Sequence, residues 1–239
     1  MKVRVGQGSP EHALTLAYLP LGVFVGIALS SLFSFAFRLG FAPPVISLGL
    51  LAALIIAVGV ASRQFRASAA AGTRLTLGHM GIVCLLGGVA AAPPAEFPPL
   101  MLWSLAALAG TAATVLMMEA WLTEKIAAAG PFSRMLGQQA HGLLVLSAVM
   151  LLWRSGRIDA WVIVVGAVHY ILLILSLVLP ALRRKSTAVW RPHARFALGV
   201  VLAVALAPIV PPVLVTTLAV VALGLALAGS ASDISVTRT

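Results

Sequence analysis

Apolar runs of about 20 residues recur along the whole chain, and the gaps between them are too short to fold alone. Eight such runs lie at about 13–37, 41–62, 77–95, 100–122, 135–153, 160–182, 196–210 and 212–229. A helix that crosses the hydrocarbon of a bilayer needs about 20 apolar residues. The spacing therefore predicts an all-α integral membrane protein, a polytopic bundle of about eight transmembrane helices. Composition agrees: 61% of the 239 residues are hydrophobic and 9% are charged, against roughly 25% charged in an ordinary soluble domain. A soluble globular protein is excluded, and any site must lie among the helices or at their ends. Pro43-Pro44, Pro93-Pro94, Pro98-Pro99 and Pro211-Pro212 punctuate the runs, and Gly130-Pro131 marks a turn. The first run follows Lys2 and Arg4 as a signal peptide would, but it is too long for an h-region and no small-x-small cleavage site follows, so it reads as a retained helix. The short seventh run reads as a tilted or partial span, or one merged with the eighth.

Basic residues orient the bundle. The formal charge is +10, but its carriers sit in the gaps between apolar runs, which fits membrane topology and gives no reason to expect nucleic acid. With both termini on one face, that face holds Lys2, Arg4, Arg63, Arg66, Arg74, Lys125, Arg134, Arg183, Arg184, Lys185, Arg191, Arg195 and Arg238. The other face has Arg38, Arg154 and Arg157. The positive-inside rule then puts both termini in the cytoplasm, with a bacterial inner (plasma) membrane as the expected location. The one cysteine, Cys84, has no intrachain partner, so neither a disulfide framework nor a cysteine-rich metal site is available.

Ionisable groups inside a bilayer are costly and mark functional candidates. Glu119 lies about one turn inside the cytoplasmic end of the fourth run, Glu124 lies just beyond it, and Gln138, Gln139 and His141 begin the fifth. The short 125–134 connection brings these ends to one cytoplasmic opening. The structural alternative is that Glu119 pairs with a nearby base or stays protonated while the amides and the imidazole bond across helices. His79 reads as a solvated residue near the start of the third run, and His169, beside Tyr170, as a neutral ring bonding to a neighbouring helix. No P-loop, G-x-G-x-x-G, H-E-x-x-H or G-x-S-x-G is present. The 183–195 stretch is the densest basic cluster. It reads as a topology determinant and anionic-lipid contact, or in part as a phosphate-binding loop.

The stretch from Gly72 to Ile234 resembles the CDP-alcohol phosphatidyltransferases, membrane enzymes that transfer a phosphatidyl or related group from a CDP-linked donor to an alcohol. Their signature, D-x2-D-G-x2-A-R-x8-G-x3-D-x3-D, aligns without a gap. Its four aspartates fall on Leu116, Glu119, Gly137 and His141, its glycines on Ala120 and Ser133, its alanine on Thr123 and its arginine on Glu124. Gly72–Leu77 resembles the family's opening N-x-L/V-T-L-x-R stretch, and the 183–195 segment resembles the basic loop before its last two helices.

The resemblance implies residues 1–66 as two added N-terminal helices and 72–234 as a six-helix core. It also implies a homodimer, or a heterodimer with a paralogue, and a lipid or CDP-linked lipid as ligand. In the family the carboxylates hold two divalent metals about the donor pyrophosphate. Here Glu119 alone of those four positions is acidic, so a family member without the usual two-metal catalysis is expected, a pseudoenzyme of phospholipid metabolism. The first alternative is an active transferase of altered chemistry, with His141 as base and Glu119 on one Mg or Mn ion. The second is a small proton-coupled transporter using Glu119 and the histidines.

Overall fold

The computed structural model describes residues 26–63, 70–126, 131–178 and 191–234, and these are helical with short turns and no strand. In chain order the helices are α1 (described over Gly26–Phe37), α2 (Ala42–Arg63), α3 (Ala70–Ala91), α4 (Pro99–Ile126), α5 (Pro131–Arg154), α6 (Ile163–Val178), α7 (Arg191–Leu206) and α8 (Pro212–Ile234). A single 3-10 turn, Ala160–Val162, leads into α6. The prolines sit where physics favours them: Pro99, Pro131 and Pro212 open their helices, and Pro43 and Pro44 fall in the first turn of α2. There the missing N–H has no intrahelical partner to lose, and the fixed φ suits a helix start.

Two helices begin earlier than hydropathy suggests. α3 starts at Ala70 rather than near 77, and α7 starts at Arg191 rather than 196, because arginine and alanine are good helix formers whatever their polarity. α7 and α8 are separate helices, broken at 207–211. Residues 64–69, where the boundary between an N-terminal pair and a six-helix core was expected, lie outside the described residues.

α1 and α5 end with the same backbone motif. In α5 the Gly156 N–H donates to the Trp153 carbonyl and the Arg157 N–H to the Leu152 carbonyl. In α1 the Arg38 N–H donates to the Phe35 carbonyl and the Leu39 N–H to the Ser34 carbonyl. This paired pattern requires a left-handed residue at the turn, usually glycine. Gly156 supplies it at φ 70°, but in α1 the position is held by Arg38 at φ 53°, where a side chain costs about 1–2 kcal/mol.

α3 is flanked by α2, α4 and α5, while α7 packs on α4, α5 and α8, and α6 lies against α5 and α8. The close approaches fix direction. The end of α3 meets the start of α2 at Gly88, Pro43 and Ser47, and Gly199 of α7 meets Ala113 of α4. Neighbours in sequence therefore alternate, and the turns at 38–41, 92–98, 155–162 and 207–211 share one end of the bundle. At that end the Arg157 guanidinium donates to the Val210 carbonyl at 2.6 Å, tying the α5–α6 turn to the α7–α8 turn. One main core includes Leu86, Met101, Leu105, Leu144, Leu152, Leu202 and Leu206, and Phe33 of α1 joins it.

The outside is apolar as well. Leu100, Trp103 and Met118 of α4, Ile171 and Ile174 of α6, and Val213, Leu214, Val220 and Leu227 of α8 are exposed. Polar residues on these faces satisfy themselves: the hydroxyls of Ser104, Thr111, Thr114, Thr216 and Thr217 each donate to the carbonyl four residues earlier. Among the described residues one stretch, Pro99–Met118, is long and apolar enough to cross a membrane by length and composition, and apolar helical stretches of 10–17 residues occupy the other helices.

Candidate functional site

The aligned motif falls on the end of α4 and the first half of α5. Leu116 is buried in α4, and Gly137 and His141 are buried one turn apart in α5. Glu119, Ala120, Thr123 and Glu124 occupy the last turns of α4 and Ser133 the first turn of α5, with their side chains outside the described residues. The two helices meet only over a limited area, since α3 and α7 take most of their facing surfaces.

The structure instead brings the histidines together. His79 is not at a wetted helix start: with α3 beginning at Ala70 it lies nine residues in and is fully buried. Its ring reaches the α4 backbone at Ala112, yet neither nitrogen makes a hydrogen bond of good geometry. His141 is 6% exposed, and its Nδ1 has no partner. His169 lies over Gly142 of α5, where a Cβ would fall 2.7 Å from its Nε2. It meets Tyr170 edge-on at 5.3 Å, and its Nε2 makes no hydrogen bond to the neighbouring helix. His141 lies within electrostatic reach of Arg195, His169 and His79, and His169 within reach of Arg195.

His141 of α5 thus lies within electrostatic reach of imidazoles on α3 and α6 and of a guanidinium on α7. Sequence reading placed Arg195 at the end of a basic loop. It belongs to α7, four residues past the helix start, and the apolar run immediately after it was the signal available for that placement.

A neutral imidazole offers one donor and one acceptor, and buried ring nitrogens without partners carry a desolvation cost of a few kcal/mol each. Native proteins rarely leave such groups unsatisfied without a reason. Together with a permanent cation, this set can donate to an anionic oxygen. It does not suit Mg or Mn: those ions take oxygen ligands, while Leu116 and Gly137 have no donor side chain, and no three His, Cys, Asp or Glu residues are grouped to hold a metal among the described residues. Cys84 is buried beside Leu51, Met80 and Ala140, in a small cluster next to the site. No family model matches the chain, nor does any curated protein or solved structure.

Proposed function

We propose that the chain is an eight-span integral membrane protein of the CDP-alcohol phosphatidyltransferase layout, with both termini cytoplasmic, in a bacterial inner membrane. In this reading it binds a phosphate-bearing lipid or CDP-linked lipid without two-metal transfer, alone, as a homodimer or beside an active paralogue. The apolar exterior and self-bonded hydroxyls support the membrane reading, because polar groups facing lipid must be satisfied internally. The observation that carries the ligand assignment is the pair of buried imidazoles, His79 and His141, with half-buried His169 and Arg195 within electrostatic reach of His141, at the level where the aligned family motif has its carboxylates. Arg195 supplies the charge that attracts a phosphate, and the imidazole N–H groups donate to its oxygens in a site of low dielectric.

The test is CDP-diacylglycerol binding to the purified full-length protein in EDTA and in Mg or Mn. Expected are metal-independent binding, loss of affinity in Arg195→Gln and His141→Ala, and no phosphatidyl transfer to common alcohols. Binding that requires the metal would refute the reading. Turnover abolished by Glu119→Gln or His141→Ala would establish the altered-chemistry transferase instead. A second reading draws on the same unpaired nitrogens: a chain of histidines is suited to passing protons. Proton flux in reconstituted vesicles, abolished by His141→Ala without any effect of lipid ligand, would favour it.

A further inference from the structure

Contacts between the helices set four polar side chains at one level of the bundle. Met80 of α3 and Ala140 of α5 pack in one small cluster, which brings their chain neighbours His79 and His141 to the same height. His169 of α6 lies over Gly142, the residue after His141. α5 and α7 run in the same direction, and a Cβ on Gly199 of α7 would lie 3.7 Å from the Leu144 side chain of α5. Arg195, one turn before Gly199, therefore stands level with Ala140 and His141, one turn before Leu144.

α5 packs against α2, α3, α4, α6 and α7, and the groups they bring to this level are basic or neutral. The described side chains of α2 and α4 include no titratable group. α3 gives His79 and the buried thiol of Cys84, α6 gives His169 and Tyr170, and α7 gives Arg195, with His193 exposed in its first turn. The side chains of Arg74, Glu119, Glu124, Lys125, Arg134 and Arg191, nearer the cytoplasmic helix ends, lie outside the described residues.

We propose that this site takes up a proton onto the His141 imidazole as its ligand binds, and that the proton balances the second negative charge of a pyrophosphate. The inference rests on the phosphate-lipid reading above and names the ligand class it favours, a CDP-linked lipid over an ordinary phosphodiester lipid. The pyrophosphate of a CDP-linked lipid carries two negative charges near neutral pH, and the headgroup of phosphatidylglycerol carries one. A charge held away from water needs an opposite charge beside it. Arg195 offsets one charge at most, whatever else it pairs with. Among the described residues at this level, the imidazoles are the other groups that can become positive, and His141 is the ring within electrostatic reach of the remaining three groups. The proton comes from cytoplasmic water and adds to the lone pair of the neutral ring. Unlike a relay, the ring keeps this proton for as long as the ligand stays. Because the bound state holds more protons than the free state, affinity is highest at low pH and falls as pH rises.

Calorimetric titration of the full-length protein in mild detergent and EDTA tests it, with short-chain CDP-diacylglycerol and separately with short-chain phosphatidylglycerol. Repeating each titration in buffers of different ionisation enthalpy counts the protons taken up. About one more proton per chain is expected for CDP-diacylglycerol, and the ratio of its affinity to that of phosphatidylglycerol should fall about tenfold per pH unit between about pH 6 and about pH 8. His141→Gln keeps an N–H donor but cannot take a proton, so it should bind CDP-diacylglycerol more weakly and without the extra proton. The proton count in the wild-type protein needs no variant, so a misfolded His141→Gln would not shield the proposal. Equal uptake for the two lipids, or an affinity ratio that does not change with pH, would overturn it and leave the lipid reading standing. Uptake that persists in His141→Gln would overturn the assignment to His141. No binding of either lipid at any pH would overturn the lipid reading, and this inference with it.

Discussion

The substitution Gly88→Ala probes the tightest of the described glycine contacts. A Cβ on Gly88 would lie 2.5 Å from the Pro43 carbonyl oxygen, closer still to the Ser47 hydroxyl, and 3.1 Å from the Ser47 Cβ. Carbon–oxygen contacts between packed elements run at roughly 3.3 Å or more, so α2 and α3 must part by roughly 0.8 Å to clear the carbonyl, and Ser47 must turn away as well. Overpacking of this kind costs about 1–3 kcal/mol. Turning Ser47 also breaks its 2.8 Å bond to the Pro43 carbonyl, worth about 1 kcal/mol. Alanine returns about 1 kcal/mol through helix propensity, which leaves a net loss of about 1–3 kcal/mol. Gly49→Ala in α2 is the control, since nothing lies within 4 Å of its Cβ position; it should be neutral or slightly stabilising. Thermal unfolding of the detergent-solubilised protein separates the two. Ser47→Ala combined with Gly88→Ala should recover only part of the loss, because the carbonyl stays in place. A Gly88→Ala protein as stable as Gly49→Ala would refute the close approach of α2 and α3.

Gly142→Ala should push the His169 ring off α5 for about 1 kcal/mol, the low end for overpacking because a half-buried ring can swing; weakened CDP-lipid binding with little change in melting temperature is the expected result. Arg157→Gln should cost about 1.5–3 kcal/mol for the lost charged hydrogen bond to Val210, with amide exchange rising in both turns that it joins. Ser186→Cys should react with membrane-impermeant maleimide only from the cytoplasmic side and Ala160→Cys only from the other, while buried Cys84 stays silent in the folded protein; the reverse pattern would invert the topology.

Turn chemistry made the helix boundaries readable in sequence. Proline pairs at 43–44, 98–99 and 211–212 are local signals, and the helices they open begin within a residue of them. Hydropathy failed at the polar ends of α3 and α7, because Arg74, Arg191 and Arg195 look like loop residues to a hydrophobicity scale while being compatible with helix. The three histidines were visible one at a time. Their proximity was not, since it depends on α3 packing beside α5 and on α6 crossing Gly142, contacts between residues far apart in the chain. The left-handed Arg38 left no mark in sequence either: an arginine near a helix end is ordinary.

The bond from Arg157 to Val210 gives the bundle a mechanical bias. It fastens two helical hairpins, α5–α6 and α7–α8, at the end where their turns meet. His79 and His141 lie about 18–20 Å away along their helices at 1.5 Å per residue. With one end fastened, relative motion of the hairpins is a splaying about that clasp, and displacement grows with distance from it. In the proposed reading, a ligand reaching the histidines would enter from the face that carries the start of α7, the end of the bundle away from that clasp.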